Sequence, residues 1–448
     1  MKRVRKKSAL ALAVLLGIMG NSAYAARTAV EFINSDGQHT GQYFYVDAGT
    51  LYTTETGNND ITAYFDVDTT AGTAVAKTGT PFGGASAGFK YFKNTDSIAS
   101  WNGTVDLMGE NGCSLEIFGD KSASSTKTIC GYSAPTGSAS NVVVTFYGGK
   151  VEAVCGASLG INCDVTNNTV NINGGQINTV MGGASYYGNV RDNIVNINGG
   201  QINTVMGGND HNYNSNNSTI NINGGIVGAV EVHSNETVNV NGGEVSAILG
   251  GNNSTIKITG GTVDHIMCGI TGNNIVVNGG TVTRWIYGGR KSDTDMTSVS
   301  GNTITINDGL IGDSDDNVSV YGGYATVNTE VKNNVVNINN GSFNVENIYG
   351  GYGGNSSIVD GNTVNINNGT FSDDDFIYVY GGSATTGVVS NNIVNIDCTL
   401  KAVVYGGYSG FGNSGDATVS NNVVTINSGT IQCACAGSSK NGDVFGNV

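Results

Sequence analysis

The sequence predicts an all-β fold: a parallel β-helix (β-solenoid), expected right-handed, with an N-terminal β-rich cap. Three observations predict it. From about residue 142 a motif read most easily as Thr-Val-Asn-Ile-Asn-Gly-Gly at residues 169–175 recurs twelve times. Within each copy β-branched apolar residues alternate with Asn or Thr, which is the pattern of a strand with one buried face. Glycine is abundant, 69 of 448 residues, while proline numbers only 2, as suits a chain with many tight corners and few missing ladder donors.

The N-terminus comes first. Lys2, Arg3, Arg5, Lys6 and Lys7 precede an apolar run from Ala9 to Met19 and then Ala23-Tyr24-Ala25. This order predicts a secretory signal peptide over residues 1–25. The apolar run falls short of the ~20 residues that span a bilayer. Cleavage after Ala25 removes five positive charges and moves the formal charge from -15 to -20. So acidic a chain is a poor partner for nucleic acid. No later stretch reads as a membrane helix, so the expected location is secreted or cell-surface. In an exported chain the eight cysteines could form disulfides, with Cys113/Cys130 and Cys155/Cys163 the nearest candidate pairs. Cys433 and Cys435 stand two apart on an expected strand, a poor geometry for a bridge. Spacing leaves the connectivity open.

Residues 26–141 lack the repeat but hold strand-like runs such as Gln42 to Val46 and Ile61 to Val67. They are expected to form the β-rich cap, because the end of a solenoid exposes backbone groups that need cover.

Residues 142–448 are expected to form about twelve coils. Aligned on the second glycine, the copies anchor at Gly149, Gly175, Gly200, Gly225, Gly243, Gly261, Gly280, Gly309, Gly341, Gly369, Thr399 and Gly429. Val or Ile stands five positions before every anchor, from Val144 to Val424, and an apolar residue three before, from Phe146 to Ile426. A copy as short as Gly243 to Gly261 cannot bury its apolar face alone, whereas stacking at ~4.8 Å turns equivalent positions into ladders around one core. Asn beside the glycines tolerates the left-handed region and can hydrogen-bond along its own ladder. The Thr399 copy has lost a residue near Cys398 and brings Leu400 to the apolar slot, so an irregularity is expected there. Gly446-Asn447-Val448 reads as the opening of a further coil, as in a chain cut within its repeats.

Composition excludes other classes. At 12% charged and 39% hydrophobic the chain fits neither a coiled coil nor a charge-driven disordered segment. Its glycines follow no three-residue period, which excludes collagen.

Copies such as Asn362-Thr-Val-Asn-Ile-Asn-Asn-Gly-Thr-Phe followed by Val379-Tyr-Gly-Gly resemble the repeats of bacterial surface and autotransporter-type adhesins over about two-thirds of the chain. The resemblance implies an exported β-helix passenger displayed by a Gram-negative cell, with a C-terminal membrane barrel that this chain does not contain. It also implies adhesion, with glycans or host and neighbouring cell surfaces as partners.

Candidate sites follow from the repeat. Tyr287, Tyr321, Tyr349, Tyr380 and Tyr405 stand before the second glycine pair of five successive copies, where earlier copies carry Met181, Met206, Leu249 and Met267. An aromatic row is a candidate ligand-binding surface for sugar rings, although Met and Leu at the same place favour a stacking role. Asp313, Asp315 and Asp316, and Asp373, Asp374 and Asp375, could hold Ca²⁺ on a turn but lack an EF-hand spacing; no other cofactor is expected. Insertions at about 184–193, 209–218, 290–302, 324–334, 352–362, 383–392 and 408–421 should gather on one edge as a recognition surface or as drift. Gly156-Ala-Ser-Leu-Gly160 matches a nucleophile elbow in letters but not in context. His39, His211, His233 and His265 show no zinc spacing. The expected function is therefore a non-catalytic, adhesin-like or cell-surface structural protein. The alternative is a β-helix polysaccharide lyase or glycoside hydrolase, recognisable if two carboxylates, or a carboxylate and a basic group, converge on adjacent coils. Ice binding is a third reading, disfavoured by the varied copy lengths.

Overall fold

A computed structural model describes residues 27–33, 39–52, 62, 65–76, 88–92, 114–119, 128–134 and 137–448, except 211–216, 293–296, 313–317, 373–375 and 411–416. The expected signal peptide lies outside the described residues. Within them there is no α-helix, and hence none long and apolar enough to cross a membrane. The chain divides into two compact units, Met1–Thr80 and Pro81–Val448.

The first unit is a five-stranded mixed sheet in the order Thr50–Tyr52, His39–Asp47, Thr28–Ile33, Thr73–Ala76, Phe65–Asp68. Only the central pair, Thr28–Ile33 with Thr73–Ala76, is parallel. Val30, Phe44, Leu51, Phe65 and Ala74 form its core, and the Phe44 and Phe65 rings meet edge-on at 5.2 Å.

The second unit is a parallel β-helix. Its first face stacks strands of four residues or more, Val143–Phe146, Thr169–Ile172, Ile194–Ile197, Thr219–Ile222 and so on to Val423–Ser428, each parallel to the last and paired at equivalent positions. Its second face stacks the strands after the glycine pair, from Lys150–Ile161 through Gln176–Met181 and Gln201–Met206 to Cys433–Ser439. The aliphatic columns point inward. Every residue of the column from Val144 to Val394, and of the column from Phe146 to Ile396, is fully buried. In the last described rung Ile426 is 40% exposed. Leu400 fills the apolar slot of the irregular copy, and the expected slip appears as a register shift between Ile396 and Asp397.

Parallel stacking begins before residue 142. Ser114–Gly119 pairs in register with Val143–Phe146, Thr128–Ala134 pairs with Lys150–Ile161, and Gly88–Phe92 pairs with Ser114–Gly119. The described residues of 26–141 therefore include both the mixed sheet and the first rungs. Those rungs escape the motif because they lack its Asn-Gly-Gly corner.

Among the described residues the insertions gather along one side, and several of them form a third wall. Ala139–Ser140, Val165–Thr166 and Val190–Arg191 make one small parallel sheet; Val299–Ser300, Glu330–Lys332, Ser357–Asp360, Gly387–Ser390, Ala417–Ser420 and Gly442–Phe445 make another. Each covers its own apolar column, Ala139, Val165 and Val190 in the first and Val299, Val331, Val359, Val389 and Val419 in the second. The short copies ending at Gly243, Gly261 and Gly280, of 18, 18 and 19 residues, have no strand on this side, so the coil is narrowed there to two faces.

Two kinds of glycine make the corners. Gly175, Gly200, Gly225, Gly243, Gly261 and Gly280 hold φ between 73 and 95°, the left-handed region that other residues avoid. Gly322, Gly350 and Gly381 have ordinary φ, but a Cβ on each would overlap the carbonyl oxygen of the following rung.

A polar ladder runs inside the corners. Asn273, Asn302, Asn334, Asn362, Asn392 and Asn422 are buried to 1% exposure or less. Along this series each backbone N–H and each Nδ2 donates to the Oδ1 of the next asparagine at 2.8–3.1 Å. Asn334 Nδ2 also donates to Val299 O, and Asn362 Nδ2 to Val331 O. Buried amides are thus satisfied at every step, as a buried polar network must be. At the two-faced waist the row changes to Ser218, Glu236 and Ser254.

Candidate functional site

The five predicted tyrosines form one outward row. Tyr287, Tyr321, Tyr349, Tyr380 and Tyr405 are register partners on successive second-face strands. Val or Ile on one side and glycine on the other turn inward, which sends each ring out. Neighbouring rings stand 4.8, 4.8, 4.7 and 5.3 Å apart, with planes within 10° of parallel. A second row, Tyr324 and Tyr352, stacks at 5.3 Å and meets the first edge-on. Tyr408 continues this flank beside Tyr405 at 4.9 Å.

This geometry has a chemical consequence. Inner rings of the ladder have both faces occupied by neighbouring rings, and Tyr349 and Tyr380 are 6% and 5% exposed. Sugar rings stack on aromatic faces, so the half-buried Tyr324 and Tyr352 and the ladder's ends offer more to a ligand than its middle. Burial first, and then neighbouring phenols, push the Tyr321, Tyr349 and Tyr380 hydroxyls well above their usual range. These phenols remain neutral hydrogen-bonding groups.

A second cluster adjoins the row and was not singled out in the sequence. Asp264 and Arg284 lie on adjacent rungs, with Arg284 Nε and Nη2 donating to the two carboxylate oxygens. Thr283 Oγ1 donates to Asp264 Oδ1 at 2.7 Å, and His265 Nδ1 lies 3.1 Å from Oδ2. The Trp285 ring stands 6.4 Å from His265, and the Arg284 guanidinium lies 5.5 Å from the centroid of that indole. Above all the Arg284 contact holds the Asp264 carboxyl far below the usual carboxylate range. The signal was the one-copy spacing from His265 to Trp285, legible only after the copies are laid in register.

The remaining candidates fall apart or outside. Asp313, Asp315, Asp316, Asp373, Asp374 and Asp375 all lie outside the described residues, as do His211 and Cys113. Ser158 sits within the twelve-residue strand Lys150–Ile161, with no sharp strand-to-helix turn to make it a nucleophile. His233 lies at the waist, its backbone N–H donating to Glu236 Oε2 at 2.7 Å. Burial pushes the Glu236 carboxyl up to about 8.

No known family, curated protein or solved structure matches the chain.

Proposed function

We propose that the chain is an exported, non-catalytic β-solenoid, an adhesin-like or cell-surface structural protein that binds glycans of host or neighbouring surfaces. The aromatic strip from Trp285 to Tyr408 on the outer second face is its recognition surface. One observation carries the reading: aromatic rings with their phenolic hydroxyls line up on one sheet face at rung spacing, and the Arg284 guanidinium lies beside Trp285 at the start of the strip. An extended polysaccharide presents hydroxyls and apolar ring faces at regular intervals, and such a strip meets both. The autotransporter-like repeats agree with surface display, and the acidic balance argues against nucleic acid as ligand.

Convergence of Asp264 with Arg284 on adjacent coils favours the second reading, a carbohydrate-active enzyme. Its chemistry weakens that case. A carboxylate tied to a guanidinium, a hydroxyl and an imidazole, and held far below its usual range, is a poor general base at neutral pH. A glycan array, followed by Trp285→Ala and Tyr352→Ala, tests the proposal. Binding that both substitutions weaken by ten-fold or more, with no release of reducing ends or unsaturated sugars from the bound glycan, is the expected result. Turnover abolished by His265→Ala would replace the binding reading with the enzymatic one.

A further inference from the structure

Cys130 and Cys155 occupy the same place on consecutive rungs. Thr128–Ala134 and Lys150–Ile161 run parallel, and the two cysteines are Cα partners in that register, next to the partners Ile129 and Val154. Such partners stand about 4.8 Å apart, within the roughly 4.4–6.8 Å that a disulfide requires between Cα atoms. Equivalent residues of in-register parallel strands also point to the same side. Both side chains are fully buried, the Cys130 thiol neighbours that of Cys155, and Cys155 Sγ donates to Ala157 O at 2.9 Å. Cys163 is placed otherwise: its Sγ donates to Ile161 O, and it packs in the separate third-wall cluster with Ala139, Val165 and Val190.

We propose that Cys130 and Cys155 are a cross-rung disulfide site, closed during folding by a small-molecule or protein disulfide oxidant. The thiolate of one cysteine attacks the oxidant's disulfide, forming a mixed disulfide and releasing one thiolate. The second cysteine's thiolate attacks the first cysteine's Sγ in that mixed disulfide, forms the Sγ–Sγ bond and releases the oxidant's remaining sulfur as a thiolate. The two cysteines lose two protons and two electrons, and the oxidant gains them as two thiols. Timing follows from burial. Thiolates carry out the exchange, and the neighbouring thiol together with desolvation holds Cys155 in its thiol form once the rungs have closed. The bridge therefore forms before closure and is afterwards shielded from reductants. It fixes the register of two early rungs.

The test refolds the reduced, unfolded full chain in oxidised and reduced glutathione, alkylates remaining thiols and maps peptides without reduction. The proposal expects one cross-linked pair containing Cys130 and Cys155, about 2 Da lighter than the two thiol peptides together. Oxidised protein should also unfold at a higher denaturant concentration than reduced protein, a difference lost in Cys130→Ala/Cys155→Ala. Cys113→Ser should leave the bridge unchanged, which keeps the test valid if the double variant folds poorly. A Cys113–Cys130 or Cys155–Cys163 link in the refolded protein, or full alkylation of Cys130 and Cys155, would overturn it.

Discussion

At Asn334 the amide accepts from Asn302 and donates to Asn362 and to Val299 O. Truncation to alanine strands partners on three neighbouring segments, each a buried group that costs about 1–3 kcal/mol when unsatisfied. Asn334→Ala should therefore lower the unfolding free energy by about 3 kcal/mol or more, measured by chemical denaturation. Glu236 breaks the same row. Its carboxyl is 1% exposed and raised to about 8, against an ordinary value of 4.5. The folded state thus holds its proton more tightly than the unfolded state. The stabilisation is complete below pH 4.5 and is lost as pH rises through about 8, on the order of 5 kcal/mol in all. Glu236→Gln should flatten that part of the stability–pH curve; an unchanged slope would show that another group causes it. These residues were the least legible in the sequence. Asn334 and its equivalents stand two residues before the inward Val/Ile column and in phase with it, but they precede the strands, and asparagine beside a glycine corner reads as a turn residue and not as a core one.

Single strands and their corners come next in scale. The Val/Ile columns were legible because a two-residue period on a stacked strand leaves one possible inward face. Ile338 is fully buried in such a column, and Ile338→Ala should cost about 2–5 kcal/mol. The Val-Tyr-Gly-Gly corner was legible as a turn, but its physical reason is close approach: a Cβ on Gly322 would overlap Gly350 O. Gly322→Ala should push two rungs apart and destabilise the fold despite an allowed φ, visible as a lowered midpoint of thermal unfolding. The tyrosine rows separate two roles. Tyr349→Ala, inside the ladder, should lower stability through lost burial and stacking, while Tyr352→Ala on the flank should mainly reduce glycan binding. Equal losses of stability and binding in both variants would show that the rows act as one structural unit. The aromatic row itself was visible in the sequence. That its inner ring faces are already occupied was not, because ring orientation depends on rung spacing.

Across the β-helix, copies of 18 residues and copies of 32 residues do the same work: each advances the stack by one rung, and the added length becomes third wall. The central claim is that distance along this unit counts rungs rather than residues. Outward positions Asn171, Asn221, Asn337 and Asn395 belong to one ladder row. Spin labels placed there in pairs allow electron–electron distance measurement. Rungs of about 4.8 Å predict roughly 24 Å between 221 and 337, roughly 34 Å between 171 and 337 and roughly 43 Å between 171 and 395. Distances that instead scale with residue number, or that shorten between remote copies as antiparallel hairpins require, would contradict the stacked parallel β-helix.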